Sequence, residues 1–187
     1  MYQVDVTIEG ASPGLLMHRF PEVTQAGLVN PVKLSGKKKD SPEAEAEYAA
    51  YRLEAKNGEP GGLCQPAEHI YAGLVKAAGD FQIQGKGKKT YRDIIKGLVL
   101  IDPELIPHNQ MKYRIDARPA RIQRARVIRH RPHLPEWALS FRMTCLEGDL
   151  LPVEVLNAIL VKTGQAVGIG DYRPRFGRFV VSKFEAV

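Results

Sequence analysis

Residues 2–9 alternate strictly, with Tyr2, Val4, Val6 and Ile8 on one face and Gln3, Asp5, Thr7 and Glu9 on the other. A period of two puts successive side chains on opposite sides of a strand, so this segment predicts a half-buried strand. Two further alternating runs flank the sequence PHLPE, namely RIQRARVIRHR at 121–131 and WALSFRMTC at 137–145. Prolines disfavour strand continuation and suit a connecting loop, so the pair predicts a hairpin. In its second strand Trp137, Leu139, Phe141, Met143 and Cys145 share the core face, opposite Ala138, Ser140, Arg142 and Thr144. A last strand is expected at 178–185, RFVVSKFE, with Phe179 and Val181 on its buried face.

Helical periodicity marks two other segments. Residues 66–78 carry Ile70, Leu74 and Ala78 on one face and end at Gly79; residues 152–163 open on Pro152, carry Val153, Leu156, Ile159 and Leu160, and end at Gly164. Taken in order, strand 2–9, helix 66–78, strand 121–131, strand 137–146, helix 152–163 and strand 178–185 spell βαββαβ. The expected class is α+β, a ferredoxin-like (RRM-like) βαββαβ core with inserted helical and loop elements. One insertion covers 30–62, a basic loop followed by SPEAEAEYAAYRLEAK, a helix with Ser41 as N-cap and Pro42 at its first position. The other covers 80–118 and is irregular, with a basic turn at 85–89 (GKGKK), a helix at 90–96 and a short strand, GLVLID. The length of 187 residues fits one domain with insertions.

Charge sharpens the picture. The net charge is +6 and hydrophobic residues make up 44%, which supports a core and favours a polyanionic partner. Between Lys112 and Arg131 stand Lys112, Arg114, Arg118, Arg121, Arg124, Arg126, Arg129 and Arg131 against one acid, Asp116. Arginine at this density points to bidentate partners such as phosphate. Strand parity turns Arg124 and Arg126 away from the core, to the side expected for Arg142. Residues 168–179, GIGDYRPRFGRF, hold three glycines, three arginines and three aromatics. Gly168, Gly170 and Gly177 permit close backbone approach, Arg173, Arg175 and Arg178 suit phosphates, and Tyr172 and Phe176 offer stacking faces. Arg19 and the run Lys37, Lys38 and Lys39 add sequence-independent attraction.

Other chemistry finds little support. KLSGKKK (33–39) lacks the phosphate-loop pattern, and GIG at 168–170 follows a helix and lacks the third glycine of a dinucleotide fingerprint. No cofactor is expected. Cys64 and Cys145 are too few for a zinc site or disulfide framework, and the histidines include no i, i+4 pair, so no metal is expected. His18 is the one candidate acid or base, in a loop beside Arg19. No apolar run approaches the roughly 20 residues needed to span a bilayer, so no membrane partner and a reduced, cytoplasmic protein are expected.

VTIEGASPGLLMHRF, the βαββαβ order and the Gly/Arg loop before the last strand together resemble the RAMP superfamily of CRISPR effector complexes. The likeness is nearest to its RNA-coating backbone subunits, and the two quoted segments are also similar to short phage and mobile-element proteins. The resemblance implies a single RAMP-like domain over 1–187, with 30–62 as a thumb-like insertion. It implies a homo-oligomer, or one subunit among others in a ribonucleoprotein, bound along single-stranded nucleic acid, RNA favoured. The loop arginines would then contact phosphates, Tyr172 or Phe176 a base, and Arg124, Arg126 and Arg142 would extend the track across the sheet. Two alternatives are a metal-independent endoribonuclease of the same superfamily using His18, and a phage single-stranded-DNA-binding or annealing protein.

Overall fold

A computed structural model describes residues 1–19, 41–55, 59, 61–108, 110–122 and 125–187, and of 121, 122 and 125 the backbone alone. The fold is mixed α+β. Strand β1 (Tyr2–Gly10) lies inside a four-stranded antiparallel sheet between β8 (Ala138–Cys145) and β9 (Phe179–Ala186), with β4 (Val99–Asp102) on the far side of β8. The register sets Val4 opposite Met143, Val6 opposite Phe141 and Ile8 opposite Leu139, all six buried. This is the alternation the sequence predicts, used to put one apolar face against two helices. Those helices are α2 (Ala67–Ala77) and α4 (Val153–Lys162), which bury Ile70 and Leu74, and Leu156, Ile159 and Leu160, in the same core. (The helix α1, Pro42–Ala49, and the short α3, Arg92–Leu98, lie elsewhere in the chain.)

The opposite face of the sheet is polar and paired across strands. Gln3 Nε2 donates to Thr144 Oγ1, Thr7 and Ser140 share a hydrogen bond of 3.0 Å, and Arg142 grips Asp5 through two bonds of 2.7 and 3.0 Å. Directly opposed polar pairs of this kind are the usual stabilising unit of a solvated sheet face.

The expected hairpin is not there. Strand β7 (Ala125–Leu134) runs on through Pro132 and pairs along its length with β6 (Arg114–Ile122), not with β8. At its end β7 also pairs with the two-residue β2 (Leu15–Leu16). Pro132 is tolerated because its nitrogen and carbonyl point away from β6; the carbonyl accepts from Met17 N, and the missing donor falls just past the end of β2. The strand that pairs with the outer edge of β8 is instead β4, from within the 80–118 segment expected to be an insertion. Arg126 and Arg142 consequently stand in different sheets and share no face. Two boundaries also move. Helix α1 stops at Ala49, where Ala50 turns extended, well short of the expected end at Lys56. The stretch read as irregular, 103–118, contains β5 (Leu105–Pro107), paired with β3 (Cys64–Pro66), and the first half of β6. Among the described residues no helix is long and apolar enough to cross a membrane.

The β1–β8 seam predicts its own test. Ile8 is fully buried, so Ile8→Ala should cost about 2–5 kcal/mol in urea-melt stability; a loss below about 1 kcal/mol would contradict the assigned register.

Candidate nucleic-acid interface

After α4 a turn of π-helix (Thr163–Val167) hands the chain to Gly168, whose φ of 71° no side-chain-bearing residue adopts cheaply. The loop then closes on itself and on the segment after β1. Ile169 N donates to Gly177 O, Asp171 N to Leu16 O, Gly177 N to Gly14 O and Ala11 N to Arg178 O, all between 2.8 and 2.9 Å. A Cβ on Gly177 would sit 1.7 Å from Ile169 O, and one on Gly170 2.6 Å from Leu16 O. The close approach that these glycines allow is thus made by the protein's own backbone. Gly168, Gly170 and Gly177 build the loop and do not cradle a ligand.

The aromatic pair divides in the same way. Phe176 is 1% exposed and cannot stack on a base, whereas Tyr172 is 48% exposed. Tyr172 is also, among the described residues, the one non-glycine with positive φ (58°), a conformation costing about 1–2 kcal/mol. Its ring meets Phe176 edge-on at 5.9 Å. Beneath them the Arg118 guanidinium lies 4.8 Å from the Phe176 centroid and 6.0 Å from that of Tyr172, held by two bonds to Asp116. His133 Nε2 bonds Pro13 O at 2.7 Å with its ring edge against Phe176. Arg131, nearly buried, pairs with Asp171 at 2.6 Å. The inner face of the β6–β7 ribbon therefore clamps the loop from below.

The arginines sort by partner. Arg118, Arg131 and Arg142 are in ion pairs, and Arg129 shares Glu45 with His130. Burial alone would raise the Glu45 carboxyl, but hydrogen bonds from His130 and Arg129 outweigh it and hold it below the usual range. Nearby, a bond from Arg52 holds Glu47 down, while burial and Glu47 push the Tyr113 hydroxyl up to about 12. Arg173, Arg175 and Arg178, by contrast, are exposed and have no carboxylate partner among the described residues, as do Arg114 and Arg126 on the ribbon. Arg19 is half-buried. Lys37, Lys38, Lys39 and Arg124 lie outside the described residues, as does the side chain of Arg121, whose backbone pairs opposite Arg126.

Beside the loop, Tyr51 links the main chain of His18 to a buried pair, Gln65 and His69. Tyr51 donates to His18 O and meets the His69 ring edge-on at 5.3 Å; Gln65, fully buried, bonds His69 Nδ1. Burial lowers both imidazole pKa values, with the Arg173 charge adding to the effect at His69. Burial thus favours the neutral imidazole at both positions. Forty-seven or more positions separate His18 from Gln65 and His69 in the chain, and no local motif signals their meeting. Two shallow depressions, of about 400 and 340 Å³, carry Glu9 with Glu136 and Glu68 with Glu104, which disfavour a polyanion. Among the described residues no group of three or more His, Cys, Asp or Glu side chains is placed to hold a metal. No model of a known protein family matches the chain, and no curated protein sequence matches it.

Two outcomes are expected. Gly177→Ala should destabilise by more than about 3 kcal/mol or prevent folding, because backbone must move to admit the methyl; a near-wild-type melt would contradict the loop geometry. Because the Glu45 carboxyl is depressed in the fold, its contribution is present above about pH 5 and lost as pH falls through the carboxylate range. Glu45→Gln should therefore be less stable than wild type at pH 7 and indistinguishable from it in acid, and an equal gap at both pH values would refute the Glu45–His130–Arg129 linkage.

Proposed function

We propose that the chain is a single-stranded nucleic-acid-binding protein that holds its ligand at the Tyr172–Arg178 turn and along the outer ribbon. One observation carries the reading. An exposed tyrosine with a strained backbone stands among three exposed arginines that have no acidic partner among the described residues, where Arg118, Arg129, Arg131 and Arg142 each have one. Unpaired guanidinium forks suit phosphate, and an exposed aromatic face suits an unpaired base. Strain held at an exposed position argues for a use of that position rather than for stability.

We further propose that the β1–α2–β4–β8–α4–β9 unit is a ferredoxin-like core and that the chain is a single RAMP-like domain. The sheet order β4-β8-β1-β9 supports this, since it is the 2-3-1-4 order of that core when strands are counted along the βαββαβ unit. The preference for RNA, the homo-oligomer and the ribonucleoprotein partners rest on the resemblance of the two quoted segments. The β6–β7 ribbon, not the open sheet face, is the better extension of the binding track, because Arg142 is neutralised by Asp5.

A second reading, metal-independent RNA cleavage, is favoured by Tyr51, which bonds the main-chain oxygen of His18 and meets the His69 ring edge-on. A neutral imidazole is in the right state to take a proton from a ribose 2′-OH. Labelled RNA incubated with EDTA decides it: product formation supports the second reading, and intact RNA removes it.

For the main reading, the expected outcome is a steep fall of affinity for a labelled single strand as salt rises. Arg173→Gln, Arg175→Gln and Arg178→Gln combined should reduce the slope of log affinity against log salt by about 2, and Tyr172→Ala should cost about 1–3 kcal/mol. A salt-independent affinity, or a combined variant that binds like wild type, would overturn the reading.

A further inference from the structure

Residues 81–91 form a second basic feature, built differently from the Gly/Arg loop. Phe81 and Tyr91 pack against the core at its base, Gln82 bridges to Thr90, and Tyr91 N donates to Phe81 O at 3.0 Å. Ile83 N bonds Lys89 O, Lys86 N bonds Ile83 O and Lys89 N bonds Lys86 O, so the tip is closed by main-chain bonds. Every residue from Gln84 to Lys89 is exposed. Gly85 and Gly87 have φ of 76° and 63°, yet a Cβ on either would meet nothing within 4 Å. At Gly177 a positive φ serves tight packing of the chain on itself; here it serves the shape of a turn that faces open space.

That shape leaves the amides of Gly85, Gly87 and Lys88 without a main-chain acceptor among the described residues. Left-handed glycines between such amides form the concave, donor-lined backbone that attracts anions. Lys86, Lys88 and Lys89 surround it with no carboxylate within ion-pair distance among the described residues, while Lys96, Lys162 and Lys183 each have one.

We infer that the 83–90 turn is a second phosphate-binding site, holding the backbone of the same nucleic-acid strand as the Arg173–Arg178 turn. The inference rests on the proposed nucleic-acid function. Helix α2 relates the two sites. A Cβ on its Gly73 would lie 3.7 Å from Gly168 O, where the Gly/Arg loop begins, and the lysine turn follows its C-terminal end. Eleven residues of helix span about 16 Å, the length of about five stacked nucleotides. A strand longer than this reaches both turns, and its phosphates supply the partners that the lysines and amides lack.

The test compares the full-length protein with Lys86→Gln/Lys88→Gln/Lys89→Gln in binding labelled poly(U) across a salt series. A control, Lys76→Gln/Lys96→Gln/Lys183→Gln, removes equal charge elsewhere. Because the three lysine side chains are exposed, thermal melts of wild type and variant should coincide. The site variant should bind about tenfold more weakly at low salt, with a slope shallower by about 2, and the control should stay near wild type. Equal affinity and slope for the site variant and wild type would overturn this site while leaving the proposed function standing. An equal loss in site variant and control would reduce the lysines to long-range charge and overturn it too. If wild type binds no single strand at low salt, the proposed function itself fails and this site with it.

Discussion

Main-chain hydrogen bonding between residues 11–17 and the Gly/Arg loop joins the four-stranded sheet to the β2–β7–β6 sheet. Gly14 O accepts from Gly177 N and Leu16 O from Asp171 N, while Leu15 and Leu16 pair on their other side with β7. The chain leaving β1 is thus enclosed between loop and ribbon. A side chain at Gly14, Gly170 or Gly177 would collide with backbone, so the three positions can hold only the smallest residue. With the backbone locked, Phe176 is drawn inward, Tyr172 is turned outward, and the loop arginines have nowhere to lie but the surface.

Electrostatics follow from that lock. Arg118 and Arg131 face the loop from the ribbon and are consumed in holding it, one over the Phe176 ring and one on Asp171. A guanidinium above an aromatic face contributes about 0.5–2 kcal/mol, depending on how far it is desolvated. Arg129 and His130 fasten α1 to the ribbon through Glu45. Cations without a carboxylate partner among the described residues lie on the loop, the ribbon and the lysine turn.

Much of the architecture is legible in the sequence, because it lies in periodicity. Alternation in 2–9 and 137–145 identifies two neighbouring strands with the correct inward faces, and the spacing of Ile70 with Leu74 and of Leu156 with Leu160 identifies both core helices. Pairing partners are less legible. Two adjacent strands with prolines between them read as a hairpin, and only the fold reveals that Pro132 faces away from β6, toward Met17. The site was legible in composition but not in roles: glycines that admit a ligand and glycines that admit the chain itself look alike in one dimension. Burial separates Phe176 from Tyr172, and a paired acid separates Arg142 from Arg173. The group of His18, Tyr51, Gln65 and His69 has no local signature at all.

The central claim is that single-stranded nucleic acid lies on the Tyr172–Arg178 turn rather than on the open face of the four-stranded sheet. Ultraviolet crosslinking of the protein to a single-stranded RNA, followed by mass spectrometry of the adducts, tests it most directly. Adducts are expected on Tyr172 and the peptide around it. Adducts confined to β1, β8 and β9, with the loop unmodified, would contradict it.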